Sequence, residues 1–269
     1  KGYRHRDRIF RNDIMVLVFL IAKHNKNHAN IAKSGLLSTL LKYGVTDEYR
    51  QKLSESGTLD KLMDMYPKEK GAESARAVQS ENSQKLSTSS EDLEFRILVW
   101  KTVSLMTNDP ICGELTSSFQ FVASVLSYLD PLDDNLLRKD WSREQLKKLQ
   151  LEAMSALYHL VQAVPDEFSG ANGSAICLRL LETTTDAQLR KQCLITIQKA
   201  IMCAPNFVEE FGKTAVSILV EQFTWKDLPL STRQIVAAVL SELCNGHEEH
   251  QTAFRRHGGI EALKDEVVY

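Results

Sequence analysis

Apolar positions along most of this chain recur at spacings of three and four. Between residues 233 and 244, Ile235, Val236, Val239, Leu240 and Leu243 fall on one wide helical face, and Asn245-Gly246 stop it. The same periodicity predicts helices over about 93–107, 119–129, 146–164, 174–182, 188–203 and 213–223. Turns are predicted at Asn108-Asp109-Pro110, Pro165-Asp166 and Pro205-Asn206. The longest apolar run, 14–22, is about half of what a bilayer demands, so it predicts a helix buried on several sides rather than a membrane span. No segment alternates at period two between hairpin turns, and the predicted class is all-α.

Three of the predicted helix starts look alike. Ser142-Arg143-Glu144-Gln145, Thr185-Asp186-Ala187-Gln188 and Ser231-Thr232-Arg233-Gln234 each read as a capping box, in which the hydroxyl accepts the N3 amide and the Gln reaches back. Trp141 with Leu146 and Leu230 with Ile235 add hydrophobic staples. The spacings, 43 (142 to 185) and 46 (185 to 231), suit one helical unit repeated and stacked as a solenoid. A second repeat joins Ile31, Gly35, Leu37 and Leu40 to Leu53, Gly57, Leu59 and Leu62, and to Phe254, Gly258, Ile260 and Leu263.

These patterns divide the chain into N-terminal repeats over 1–66, a Ser-rich flexible loop over 67–92, and C-terminal repeats over 93–269 with an acidic insertion at 131–140. The loop holds Ser74, Ser80, Ser83, Ser87, Ser89 and Ser90, with only Val78 and Leu86 as larger aliphatics, too little apolar surface to offset ordering. Protease is expected to cut there first. Neither 14–22 nor 260–268 reads as a polar capping helix, so further repeats or a partner are expected to cover both ends. The chain starts at Lys1 with no signal peptide before it, and is expected to be a fragment of a longer array.

Composition narrows the function classes. Thirty-three Lys and Arg against 35 Asp and Glu give a formal charge of −2, no global field for nucleic acid or an anionic membrane. Cys112, Cys177, Cys193, Cys203 and Cys244 form no CxxC pair and sit among apolar neighbours, as buried free thiols in a reducing compartment would. His247-Glu248-Glu249-His250 lacks the HExxH spacing of a zinc protease, and His24 and His28 have no third ligand, so both pairs read as solvated turn histidines. Nucleophile elbow, P-loop and dinucleotide fingerprint are absent. Neither cofactor nor metal nor small-molecule substrate is expected; the enzymatic alternative, a metal-dependent hydrolase using His247 and His250, is testable by metal analysis.

Val239-Leu240-Ser241-Glu242-Leu243-Cys244, then Phe254 and Gly258-Gly259-Ile260-Glu261-Ala262-Leu263, resemble the armadillo family, and Ala156-Leu157-Tyr158-His159-Leu160-Val161 fits the same helix. Peptide-reading members place an Asn on that helix, where this chain has Phe19, His159, Lys199 and Glu242. An adaptor for extended peptides is therefore the second reading, behind a protein-binding scaffold. Candidate partner contacts are His159, Lys199, Glu242, Trp141 if it is exposed rather than a staple, and the basic leader with Arg4, Arg6 and Arg8, which either docks an acidic surface such as tubulin or is simply solvated. More narrowly, Phe10-Arg11-Asn12-Asp13, Glu91-Asp92-Leu93-Glu94-Phe95, Asp140-Trp141-Ser142 and Leu149-Gln150-Leu151 resemble the cilia- and flagella-associated protein 69 family of armadillo-like proteins. That resemblance implies a cytoplasmic, non-enzymatic scaffold in the axonemal central apparatus of motile cilia, contacting other projection proteins and microtubule-associated components, without nucleic acid or membrane.

Overall fold

The computed structural model describes residues 5–45, 88–132, 141–225 and 227–267, with side chains from residue 6 to residue 264. Among them are fourteen α-helices and no strand. Five are long: α1 (His5–Ala22), α4 (Ser90–Met106), α7 (Arg143–Ala163), α10 (Ala187–Cys203) and α12 (Leu230–Cys244). They pack in chain order, α1 on α4, α4 on α7, α7 on α10 and α10 on α12, as a continuous ladder. The remaining helices cover its other side: α2 (His28–Lys33), α3 (Leu36–Gly44), α5 (Pro110–Ser118), α6 (Phe121–Leu126), α8 (Pro165–Gly170), α9 (Gly173–Thr183), the kinked α11 (Asn206–Phe223), α13 (Glu248–Arg256) and α14 (Gly259–Val267).

The repeating unit is a short helix, one left-handed residue, a second helix and then a long helix. Gly35, Gln120, Asn172 and Gly258 supply the left-handed corner in four units. In the fourth unit of the chain the corner is Gly212, with φ 56° and ψ −158°, which splits α11 into two arms. That region is open only to glycine, so the kink is written into the sequence at this position. At Gly173 and Gly259 the constraint is close approach. An added Cβ would lie 2.3 Å from the Phe168 ring and 2.4 Å from Phe254, the aromatic five residues earlier in each case.

Local chemistry explains the starts. Ser142 forms the full predicted capping box: its hydroxyl accepts the Gln145 amide at 3.2 Å, and Gln145 Oε1 accepts the Ser142 amide at 3.1 Å. The other two boxes do not form. Asp186 rather than Thr185 caps α10, its carboxylate accepting the Leu189 amide at 2.8 Å, because a charged acceptor is favoured at the positive helix end. At α12 the cap is Pro229, whose carbonyl accepts the Thr232 and Arg233 amides at 2.8 and 3.0 Å, and Ser231 makes no cap bond. Leu230 consequently lies inside the helix and is exposed, so the Leu230–Ile235 staple is also corrected. The observed starts are spaced more evenly than predicted, 44 (142 to 186) and 43 (186 to 229).

Prolines assigned to turns open helices instead. Pro110 and Pro165 each sit in the first turn of a short helix, where their missing N–H costs nothing. Ser89 caps α4 by accepting the Asp92 amide, so residues 90–92 of the predicted Ser-rich loop are helical. Most of that loop, the Leu53/Gly57/Leu59/Leu62 copy and the bulk of the acidic insertion lie outside the described residues.

The core runs without interruption along the array. Trp100, Tyr128, Phe119, Phe121, Phe168, Phe207 and Phe211 are its largest fully buried side chains. Trp100 donates to the Gly44 carbonyl at 3.3 Å and meets Tyr128 edge-on at 5.1 Å, joining α3, α4 and the end of α6.

Candidate functional site

Helical repeats offer partners a surface, and the candidate contacts of this chain lie on the long-helix ladder. Tyr158 and His159 on α7 face Lys199 on α10, whose Nζ lies 5.8 Å from the Tyr158 ring, while Tyr158 and His159 meet edge-on at 5.3 Å. Burial first, then the Lys199 charge, push the His159 imidazole below its ordinary value, so at neutral pH it is uncharged and offers one donor and one acceptor. The structure thus brings two predicted partner-contact residues together and adds Tyr158, which was legible only as a neighbour of His159. Glu242 is exposed on α12, the next helix of the ladder.

Trp141 is placed differently from a partner anchor. It is only 8% exposed and belongs to the core, with partly buried Leu146 packed against the same core, as the staple reading expects. Burial removes it from the surface candidates. The basic leader is partly consumed inside the fold. Arg8 donates to the Ser89 hydroxyl at 3.1 Å. Arg11 pairs with buried Asp92 at 2.8 Å and lies 4.1 Å from the Phe95 ring centre, which clamps α1 onto the start of α4. Arg6 is exposed, and Arg4 lies outside the described residues.

The histidine pairs need correction. His24 is exposed, but His28 is buried and donates from Nε2 to the Ala22 carbonyl at 2.7 Å. His250 is likewise buried, donating from Nδ1 to the Leu243 carbonyl at 2.8 Å, while His247 stacks on it at 5.2 Å and pairs with Glu209 at 3.1 Å. The neighbours complete the pattern: Asn27 donates to the Ile21 carbonyl at 2.9 Å and Gln251 to the Cys244 carbonyl at 2.9 Å. After α1 and after α12, two consecutive side chains at the start of a short helix bond to carbonyls at the end of the preceding long helix, those of Ile21 and Cys244 also accepting the amides of His24 and His247. The sequence signal is a His-rich turn after a long apolar helix, where a buried carbonyl rather than solvent takes the imidazole N–H.

Chemistry beyond hydrogen bonding is sparse. All five cysteines are free; Cys112, Cys177 and Cys193 are buried, and Cys203 and Cys244 half-buried. Burial, with Asp109 adding to it, pushes Cys112 up to about 12, and burial also raises Cys244, so these thiols stay protonated. Among the described residues, no group of three or more His, Cys, Asp or Glu side chains is arranged to hold a metal ion. No helix among them is long and apolar enough to cross a membrane.

Sequence pattern, the single-residue left-handed corners and the unbroken ladder together define an α-solenoid of armadillo-like repeats. Residues 73–192 match the family model described as cilia- and flagella-associated protein 69, ARM repeat, bearing out the narrower resemblance. Similar curated proteins are the cilia- and flagella-associated protein 69 of Homo sapiens and of Callithrix jacchus, each 24% identical over 183 residues, and that of Mus musculus, 22% identical over 182. Each alignment takes in 68% of this chain and 16% of the relative, so the chain spans a small part of their length. Among solved structures, an engineered protein from a structural genomics consortium superposes with a TM-score of 0.59 at 14% identity. That likeness covers 96% of this chain and 81% of the other, and supports the fold alone.

Proposed function

We propose that this chain is a non-enzymatic, protein-binding scaffold of motile cilia and flagella, working in the central apparatus of the axoneme and contacting other projection proteins. The observation that carries the reading is the match of residues 73–192 to the cilia- and flagella-associated protein 69 repeat model. The structure is compatible with it: the repeats form an extended surface, the usual tool of solenoids that hold macromolecules. The neutral Tyr158/His159 pair beside Lys199 suits hydrogen bonding to a folded partner, because an uncharged imidazole presents donor and acceptor without a strong demand for counter-charge.

Proximity labelling from this chain in a multiciliated cell tests the proposal. The expected outcome is enrichment of central-apparatus proteins and retention of the tagged chain on detergent-extracted axonemes. Diffuse label with transport receptors enriched would replace the scaffold by the peptide-adaptor reading. His159→Ala with Lys199→Ala is expected to weaken the labelled set while leaving the helical signal unchanged.

A further inference from the structure

Cys177 on α9 and Cys193 on α10 lie 16 positions apart in the chain, on helices that residues 184–186 join and that pack on each other. The Cys193 thiol donates to the Cys177 carbonyl at 3.3 Å and also lies against the Cys177 thiol. Both side chains are fully buried in the core that runs along the array. Contact with the Cys177 thiol, then burial, raise the Cys193 thiol well above its ordinary value, so the folded chain presents scarcely any thiolate there. The fold thus holds two sulfurs together and keeps both from solvent. Nothing in the protein-binding reading uses them.

We infer that Cys177 and Cys193 are an oxidative modification site, which hydrogen peroxide converts to one intrachain disulfide stapling α9 to α10, and only through openings of this repeat. In the opened repeat one thiol loses its proton to solvent, and its thiolate attacks a peroxide oxygen to give a sulfenic acid, the displaced hydroxide taking up a proton as water. The second thiolate attacks the sulfenyl sulfur, the S–S bond forms, and hydroxide leaves as a second water. Two thiols are oxidised and one peroxide is reduced. Because the native packing already sets the two sulfurs together, the oxidised repeat closes again, and the bond then restricts the unfolded chain. Oxidation proceeds at a rate scaled by the population of the open form, so the folded repeat resists peroxide and a loosened one is locked. The inference rests on the packing of α9 against α10 and not on the ciliary reading, so its failure would leave that reading untouched.

The test treats the complete chain with hydrogen peroxide at rising urea concentrations below the unfolding transition, blocks the remaining thiols by alkylation, and reads tryptic peptides without reduction. Cleavage after Arg179 and Lys191 puts the two cysteines on separate peptides. The expected product joins those peptides, lighter than their sum by about two mass units for the two hydrogens lost, and forms many-fold faster as urea rises. Its urea midpoint is expected to exceed that of the dithiol chain, and dithiothreitol to return it to the parent value. Cys177→Ser and Cys193→Ser are each expected to lose the product, and Cys203→Ser to keep it. The peptide map of the parent chain decides even where a serine variant fails to fold. A joined pair other than Cys177 with Cys193, or none, would overturn the inference. So would a rate indifferent to urea, or an oxidised chain with the lower midpoint, since the native backbone would then not close over the bond.

Discussion

Glu167 stands at the start of α8 and reaches across a repeat junction. Its Oε1 accepts the Val122 amide in the first turn of α6 at 2.9 Å, one of the amides a helix leaves without an internal partner. Burial pushes its carboxyl up from 4.5 to about 7, outweighing the Val122 N–H and the Ser117 hydroxyl, which favour the charged form. At about 1.4 kcal/mol per pKa unit, this rise corresponds to about 3 kcal/mol between the two protonation states. Because the folded value lies above the unfolded one, the folded chain holds this proton longer. The stabilisation is complete below about pH 4.5 and is lost as the pH rises through about 7. Glu167→Gln keeps an acceptor for Val122 and removes the buried charge. The variant should therefore unfold at higher urea than the parent above pH 7, by up to about 3 kcal/mol, with the difference narrowing towards zero near pH 4.5. Urea titrations followed by tryptophan fluorescence from pH 4.5 to 8.5 measure it, Trp100, Trp141 and Trp225 being the reporters. A difference that stays constant with pH would refute the reasoning, since the whole effect is assigned to one titrating carboxyl.

Other substitutions probe the packing devices. Gly173→Ala forces a Cβ into the Phe168 ring and should cost about 1–3 kcal/mol in urea unfolding; no loss would mean the ring moves aside freely. Trp141→Ala empties a buried site at a repeat junction and should cost about 3–5 kcal/mol. A melt overlaying the parent would instead return Trp141 to the surface. His250→Ala leaves the Leu243 carbonyl without its donor and should cost about 1–3 kcal/mol, with amide exchange accelerating at the end of α12 before the middle of the ladder.

Periodicity alone identified the long helices and the repeat, because burying one face of each helix at 3.6 residues per turn leaves a mark that no neighbour can erase. Gly35 and Gly258 stood out as the shared glycine of the second repeat, and their φ of 75° and 82° is what glycine tolerates best. Gln120 and Asn172 occupy the same corner without that signature, and only the packing around α6 and α9 shows that they do. Caps were legible to within one residue at Asp186 and two at Pro229, since neighbouring acceptors compete and the helix register chosen by the core decides between them. Histidine roles depended on where each long helix stops: a turn histidine is solvated unless the preceding helix ends with its carbonyls aimed at it, as Ala22 and Leu243 do here, six and seven positions before His28 and His250. The His159–Lys199 neighbourhood was equally invisible along the chain. It joins residues on successive long helices, 40 positions apart in sequence (159 to 199), whose adjacency exists only once the repeats have stacked.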